Sequence, residues 1–326
     1  MQPLRTAVVS AIAAVALCTG LAHAVTLTMS AEQPDTNYHT ENARSFAQDV
    51  KTATAGALEL KVQPNSLLLK RPEVKRGVQQ GLVPVADVLL AAMGNDDPIF
   101  EIDNIPFLAP SFDKTLLLWQ TARPLIAQRL EKSNLILLYG SPWPTQGIYT
   151  KKPVESLDDF KGMKLRAVNA SASRMATLMG AVPTTVQIAE VPQAFSTNMI
   201  DMMMTSSATG VDTSAWDYTQ YFYNLQAAAP FHVAYMNKRA FNALTEPQRK
   251  GLMEAAAKAE ERGWVLAKAA DQKYMDTLTA KGIKVMPMPP RLAEQMKSVA
   301  KTLADEWAKK ADPQALEVLN AYRNHP

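Results

Sequence analysis

Arg166 is the residue whose type and setting best suit the capture of a charged solute. It lies in Lys164-Leu165-Arg166-Ala167-Val168, a stretch that reads as a β-strand. A guanidinium offers two parallel N–H donors, the geometry that grips a carboxylate. Neighbours on a strand point to opposite faces, so two readings stay open: a fork turned to a ligand, or a structural ion pair with a buried stem. Other chemistry is thinly represented. Beyond residue 24 the histidines are His39, His232 and His325, in no HExxH pattern and at no metal-ligand spacing. GxSxG, GxGxxG and GxxxxGK[ST] are all missing. The adjacent acids Asp96-Asp97 and Asp158-Asp159 read as helix-start or solvated carboxylates rather than acid–base pairs. No nucleophile with a base beside it can be named, so a periplasmic hydrolase is the weaker reading. No metal and no cofactor is expected.

The elements that must position Arg166 begin after an export signal. Arg5 precedes an uncharged apolar run, Ala7 to Leu17, and Ala22-His23-Ala24 follows as an A-x-A cleavage pattern. The run is shorter than the roughly 20 residues of a membrane-spanning helix. Residues 1–24 are therefore expected to be removed after Ala24, with Cys18, the one cysteine, lost among them. That leaves 302 residues (326 less 24), enough for a large core without disulfides. A chain without cysteine has no thiol nucleophile, zinc–thiolate site or iron–sulfur cluster. The expected compartment is a bacterial periplasm. Hydrophobic residues at 47% and charged residues at 20% exclude wholesale disorder and a polytopic membrane protein. The balance of 34 basic to 31 acidic residues is a poor footprint for nucleic acid.

Strand-like and helix-like stretches alternate, which predicts an α/β architecture. Val25 to Met29 and Leu58 to Val62 alternate with period two, and Val83 to Ala92 begins as a buried strand. The apolar run Leu135 to Tyr139 fits a parallel buried strand. Helices are expected over 38–52, from Pro72 to Gln80, over 112–119, 171–179 and 189–198, and over 291–309. Ser156-Leu157-Asp158-Asp159 is a capping box, and Ile200 to Thr205 reads as a strand. Thr245-Glu246-Pro247 opens a helix that nothing but Gly263 interrupts before Gly282. At 1.5 Å per residue that helix is roughly 50 Å long, enough to span two lobes.

From Ser156 to Pro183 the chain reads SLDDFKGMKLRAVNASASRMATLMGAVP. This resembles the D-x-K-G-x-K-x-R segment, helix and G-A-x-P of the solute-binding proteins of tripartite ATP-independent periplasmic (TRAP) transporters. Thr54 to Leu60, the Gly81 turn, Ile105-Pro106-Phe107-Leu108 and the long helix after Ala243-Leu244-Thr245 extend the likeness along nearly the whole chain. The resemblance implies a two-lobed periplasmic binding fold, with a long helix spanning both lobes and a ligand cleft between them. One lobe is expected to comprise residues 25–143 and 232–271, the other 144–231 and 272–326. It implies that Arg166 pins a substrate carboxylate. Gln146 stands where many relatives carry a second arginine, and Thr205, with Ser206, replaces a family amide. Trp143, Tyr149, Met203 and Trp216, with Leu89, would supply apolar surface, and Tyr38 and His39 would meet solute at the first helix. For each of these the plain alternative is core packing or a helix cap. The implied function is capture of a small organic anion by hinge closure, with delivery to the small and large subunits of a TRAP permease. The solute is expected to be a monocarboxylate with an apolar or aromatic body, such as a keto or hydroxy acid. C4-dicarboxylate binding, or service to a chemoreceptor or ATP-driven importer, is the alternative. A monomer is expected.

Overall fold

The computed structural model describes residues 24–325; the signal reading of residues 1–23 and Cys18 lies outside them. In chain order the strands are β1 (Val25–Ala31), β2 (Leu58–Gln63), β3 (Val85–Leu89), β4 (Leu135–Pro142), β5 (Gln146–Thr150), β6 (Lys164–Ala167), β7 (Val182–Thr185), β8 (Met202–Ser206), β9 (Tyr221–Asn224), β10 (Phe231–Asn237) and β11 (Lys284–Pro287). The helices are α1 (Tyr38–Ala53), α2 (Val74–Gln79), α3 (Phe112–Lys132), α4 (Ala170–Leu178), α5 (Val191–Ser196), α6 (Ser207–Asp212), α7 (Lys238–Ala243), α8 (Glu246–Ala280), α9 (Pro290–Lys310) and α10 (Pro313–Arg323). Two sheets form, in the orders β2-β1-β3-β10-β4 and β11-β9-β5-β8-β6-β7. The fold is two-lobed α/β. The pairs β1–β3 and β6–β8 are parallel; β10 runs antiparallel to both its neighbours, as does β5.

The run from Leu135 is thus a correction. It was expected in a parallel pairing, but its partner β10 is antiparallel. A strand buried on both faces reads as continuously apolar whatever its direction. Helix α3 also runs well past the expected Trp119, through Pro124 inside it. The capping box closes only a single 3-10 turn, with Asp159 Oδ2 accepting from the Ser156 N–H at 2.9 Å.

Helix α8, 35 residues long, ties the sheets together. Thr245 and Gln248 cap each other reciprocally at its start. Its first half buries Leu252, Ala255, Ala256 and Ala259 against the core of the first sheet. Its last turn buries Leu278 among residues of the second. Small residues let it lie close. A Cβ on Gly263 would come within 2.6 Å of Ser141 Cβ, so the glycine is required by the approach of α8 to β4. Helix α9 buries Leu292, Met296 and Val299 in the core of the second sheet, while its Trp307 packs with the first. Helix α10 then packs on α3 through Ala315, Leu319 and Tyr322, on the first sheet's side.

Candidate functional site

A cavity opens where the carboxyl ends of the parallel strands of both sheets converge, the usual ligand position in open α/β sheets. Gln33 follows β1, Leu89 ends β3, Val168 follows β6, and Thr205 and Ser206 end β8; all line the cavity. The first residue of β5, Gln146, and the loops that cross between the sheets, with Trp143, Ala227, Ala228 and Pro230, complete it. About 60 Å³ is open to the centre of a water-sized sphere. Among the described residues the lining carries no aspartate or glutamate, and Leu89, Trp143, Met175, Ile188 and Met204 give it an apolar wall.

Two guanidiniums face this space, and they differ in one respect. Arg71 pairs with buried Glu32, whose Oε1 accepts from Nε and is in contact with the other guanidinium arm. Glu32 Oε2 accepts from the Leu89 N–H at 3.1 Å. Burial alone would raise the Glu32 pKa, but Arg71 outweighs it and the net shift is downward, so Glu32 is a carboxylate. Arg71 also donates from Nη1 to the Val168 carbonyl at 3.1 Å, joining the first sheet's side to the second. Arg166 is 1% exposed and donates from Nε to the Val186 carbonyl at 3.0 Å. Among the described residues it forms no ion pair with any acid. Burial, then the nearby Arg71 charge, pulls its pKa down to about 9, while Glu32 pushes the other way. It therefore stays protonated at neutral pH. A buried cation without a partner is costly, and the cavity beside it is where an anion would offset that cost.

Of the expected site residues, Arg166, Gln146, Thr205, Ser206, Trp143 and Leu89 line the cavity, and Met203, Tyr149, Trp216, Tyr38 and His39 do not. Met203 and Met204 sit on opposite faces of β8 by the period of two. Met204 lines the cavity, and Met203 is buried with Tyr149, Phe195 and Phe222. The Tyr149 hydroxyl donates to the Ser206 carbonyl at 3.2 Å and so acts from behind. Trp216 packs in the same core, with the Lys281 ammonium 5.4 Å above its ring. Tyr38 donates to the Pro142 carbonyl at 2.6 Å. His39 stacks on His232 at 4.2 Å, and burial followed by His232 holds its pKa well below the histidine range.

That histidine stack belongs to a buried polar chain behind the cavity. Asp87 Oδ1 lies 2.6 Å from His232 Nε2, and Trp143 Nε1 donates to His232 Nδ1 at 3.3 Å. The bond turns the indole N–H away from the cavity and fixes the ring that walls it. Sequence reasoning missed Gln33, Arg71 and Asn104, which also line the site. Gln33 had a usable signal, since it lies two residues past the carboxyl end of β1, a strand the sequence alternation marks. Its Oε1 is buried and accepts no hydrogen bond among the described residues. Ser206 Oγ accepts from the Thr209 N–H at 3.2 Å, which spends part of its capacity on α6.

Among relatives of known structure, DctP7 of Bordetella pertussis, an extracytoplasmic solute receptor binding pyroglutamic acid, is 57% identical with a TM-score of 0.91. The match covers 92% of this chain and 100% of that one. A marine metagenome TRAP solute-binding protein specific for pyroglutamate is 30% identical, TM-score 0.90, over 93% of this chain and 99% of that one. The C4-dicarboxylate-binding periplasmic protein DctP of Rhodobacter capsulatus is 24% identical over 74% of each chain. The family model for bacterial extracellular solute-binding proteins, family 7 (DctP), matches residues 29–310. This chain, with its two sheets and the cavity between them, belongs to that solute-binding family.

Proposed function

We propose that this protein captures pyroglutamate, or a monocarboxylate of the same size, in the cavity between its sheets and presents it to a TRAP permease. The observation that carries the reading is Arg166: a buried cation that, among the described residues, pairs with no protein anion and faces a cavity no acid lines. The identity of the solute is supported by the 57% identical receptor that binds pyroglutamic acid. The solute carboxylate takes the Arg166 fork, its apolar edge lies against Trp143, Leu89 and Met204, and its lactam meets neutral donors and acceptors such as Gln33, Gln146 and Thr205. Solute meets one lobe first and the other then closes on it. One lobe is built on the first sheet with α10, the other on the second sheet. No bond of the solute is broken, and the working form is a periplasmic monomer beginning at Val25.

The test is to purify the mature protein, release what it carries by mild denaturation, and identify it by mass spectrometry. The expected product is pyroglutamate or an acid with one carboxylate and at most a few more heavy atoms. Recovery of a sugar or a peptide overturns the reading.

A further inference from the structure

The charge arrangement around the cavity bears on which acids it accepts. Two guanidiniums line it, and in a simple count it should attract a dianion. The geometry says otherwise. Glu32 is 3% exposed and fully engaged, with Oε1 on Arg71 and Oε2 on the Leu89 N–H. It cannot turn to Arg166 without abandoning both. Of the other buried acids nearby, Asp87 is held by His232 and Tyr139, and Asp103 accepts from the Phe231 N–H and the Asn104 amide; neither lines the cavity. Arg71 is itself committed, with Glu32 on one side and the Val168 carbonyl on the other.

We propose that Glu32 sets the charge of the solute: by neutralising Arg71 it leaves Arg166, among the described residues, as the single uncompensated cation of the cavity, and so restricts the site to monoanions. The inference rests on the reading above that this cavity binds a small carboxylate. A second carboxylate brought in by a dianion would meet Gln33, Gln146, Asn104 and Thr205, all neutral. It would also lie near the Glu32 charge, and burying an ion without a counter-ion costs more than neutral hydrogen bonds return. An uncharged amide or lactam in the same place would meet those side chains without that cost.

Calorimetric titration with glutarate and with its monoamide tests this, because the two acids differ by one charge and hardly in shape; pyroglutamate is titrated alongside. The wild-type protein should bind the monoamide at least about a hundredfold more tightly than glutarate. In Glu32→Gln that ratio should shrink at least about tenfold through a gain for glutarate. Glu32→Gln/Arg71→Gln removes both charges; it should restore the wild-type preference and stands in should the single variant fail to fold. Pyroglutamate binding together with comparable wild-type affinities for both linear acids overturns the charge role of Glu32 alone. An unchanged ratio in Glu32→Gln does the same. Failure to bind pyroglutamate or either linear acid overturns the carboxylate reading of the cavity, and this inference with it.

Discussion

Replacing Arg166 by methionine removes the guanidinium and keeps most of the buried stem volume. In the wild-type protein the side chain makes one hydrogen bond to the protein, from Nε to the Val186 carbonyl, and no ion pair among the described residues. Its terminal donors are thus available to a ligand carboxylate. Two hydrogen bonds to a charged group contribute about 1.5–3 kcal/mol each. The variant should lose about 3–6 kcal/mol of binding, a rise in Kd of about 10²- to 10⁴-fold. Stability of the ligand-free protein should move the other way or stay level. An unpaired buried cation is removed, and the lost bond to Val186 costs only about 1 kcal/mol. Calorimetric titration with pyroglutamate and melting curves with and without it read both quantities. Wild-type Tm should climb with ligand concentration, and Tm of Arg166→Met should not. Binding within tenfold of wild type would refute the ligand role. Collapse of the ligand-free fold would show instead that Arg166 is structural.

Gln33→Leu should weaken pyroglutamate by about 1–3 kcal/mol, since its buried Oε1 has no partner among the described residues and a lactam N–H supplies one; cyclopentanecarboxylate, which lacks that donor, should bind both forms alike in titration. Asp103 has its pKa raised by burial to about 7, despite accepting from the Phe231 and Asn104 nitrogens. The folded protein therefore holds that proton while the unfolded chain has lost it by about pH 4. This contribution to stability is lost as pH rises from about 4 to 7 and is flat above, by at most roughly 4 kcal/mol. Asp103→Asn should thus gain on wild type in melting experiments across that window; a difference in Tm independent of pH would contradict it. Gly263→Ala should cost about 1–3 kcal/mol in denaturant unfolding, because the added methyl meets Ser141 and Asn42.

Much of the architecture was legible because it is written in local signals. The reciprocal cap at Thr245 and the long unbroken stretch after it correspond to α8. The strand-and-helix rhythm around Arg166 corresponds to β6 and α4. What escaped depends on tertiary neighbours. Strand β10 has no alternation, since all seven of its residues are buried between β3 and β4. The direction of β4 was misread for the same reason. Helix α10 did carry a local signal, Asp312 accepting from the Ala315 N–H before Pro313, but it lies past the last helix expected. In the site, Arg166 was found by its motif. Arg71 and Asn104 come from 3-10 turns distant in sequence, and no periodicity marks residues that only the closed chain brings together. Met203 and Met204 differ by one step, and a run of three methionines cannot say which face is wet.

The place of β10 constrains how the chain can mature. It lies inside the first sheet, hydrogen-bonded to β3 on one side and β4 on the other, yet follows β4 by almost ninety residues of sequence, nearly all spent on the second sheet. A polypeptide threaded out amino end first exposes two apolar strand edges that have nothing to zip onto until Asn237 arrives. Unpaired edges of that kind invite association with other chains, and long-range closure is slow. Assembly of the first layer must wait for the second to be made, so a fragment stopping before residue 231 should be sticky and unfolded rather than half a receptor.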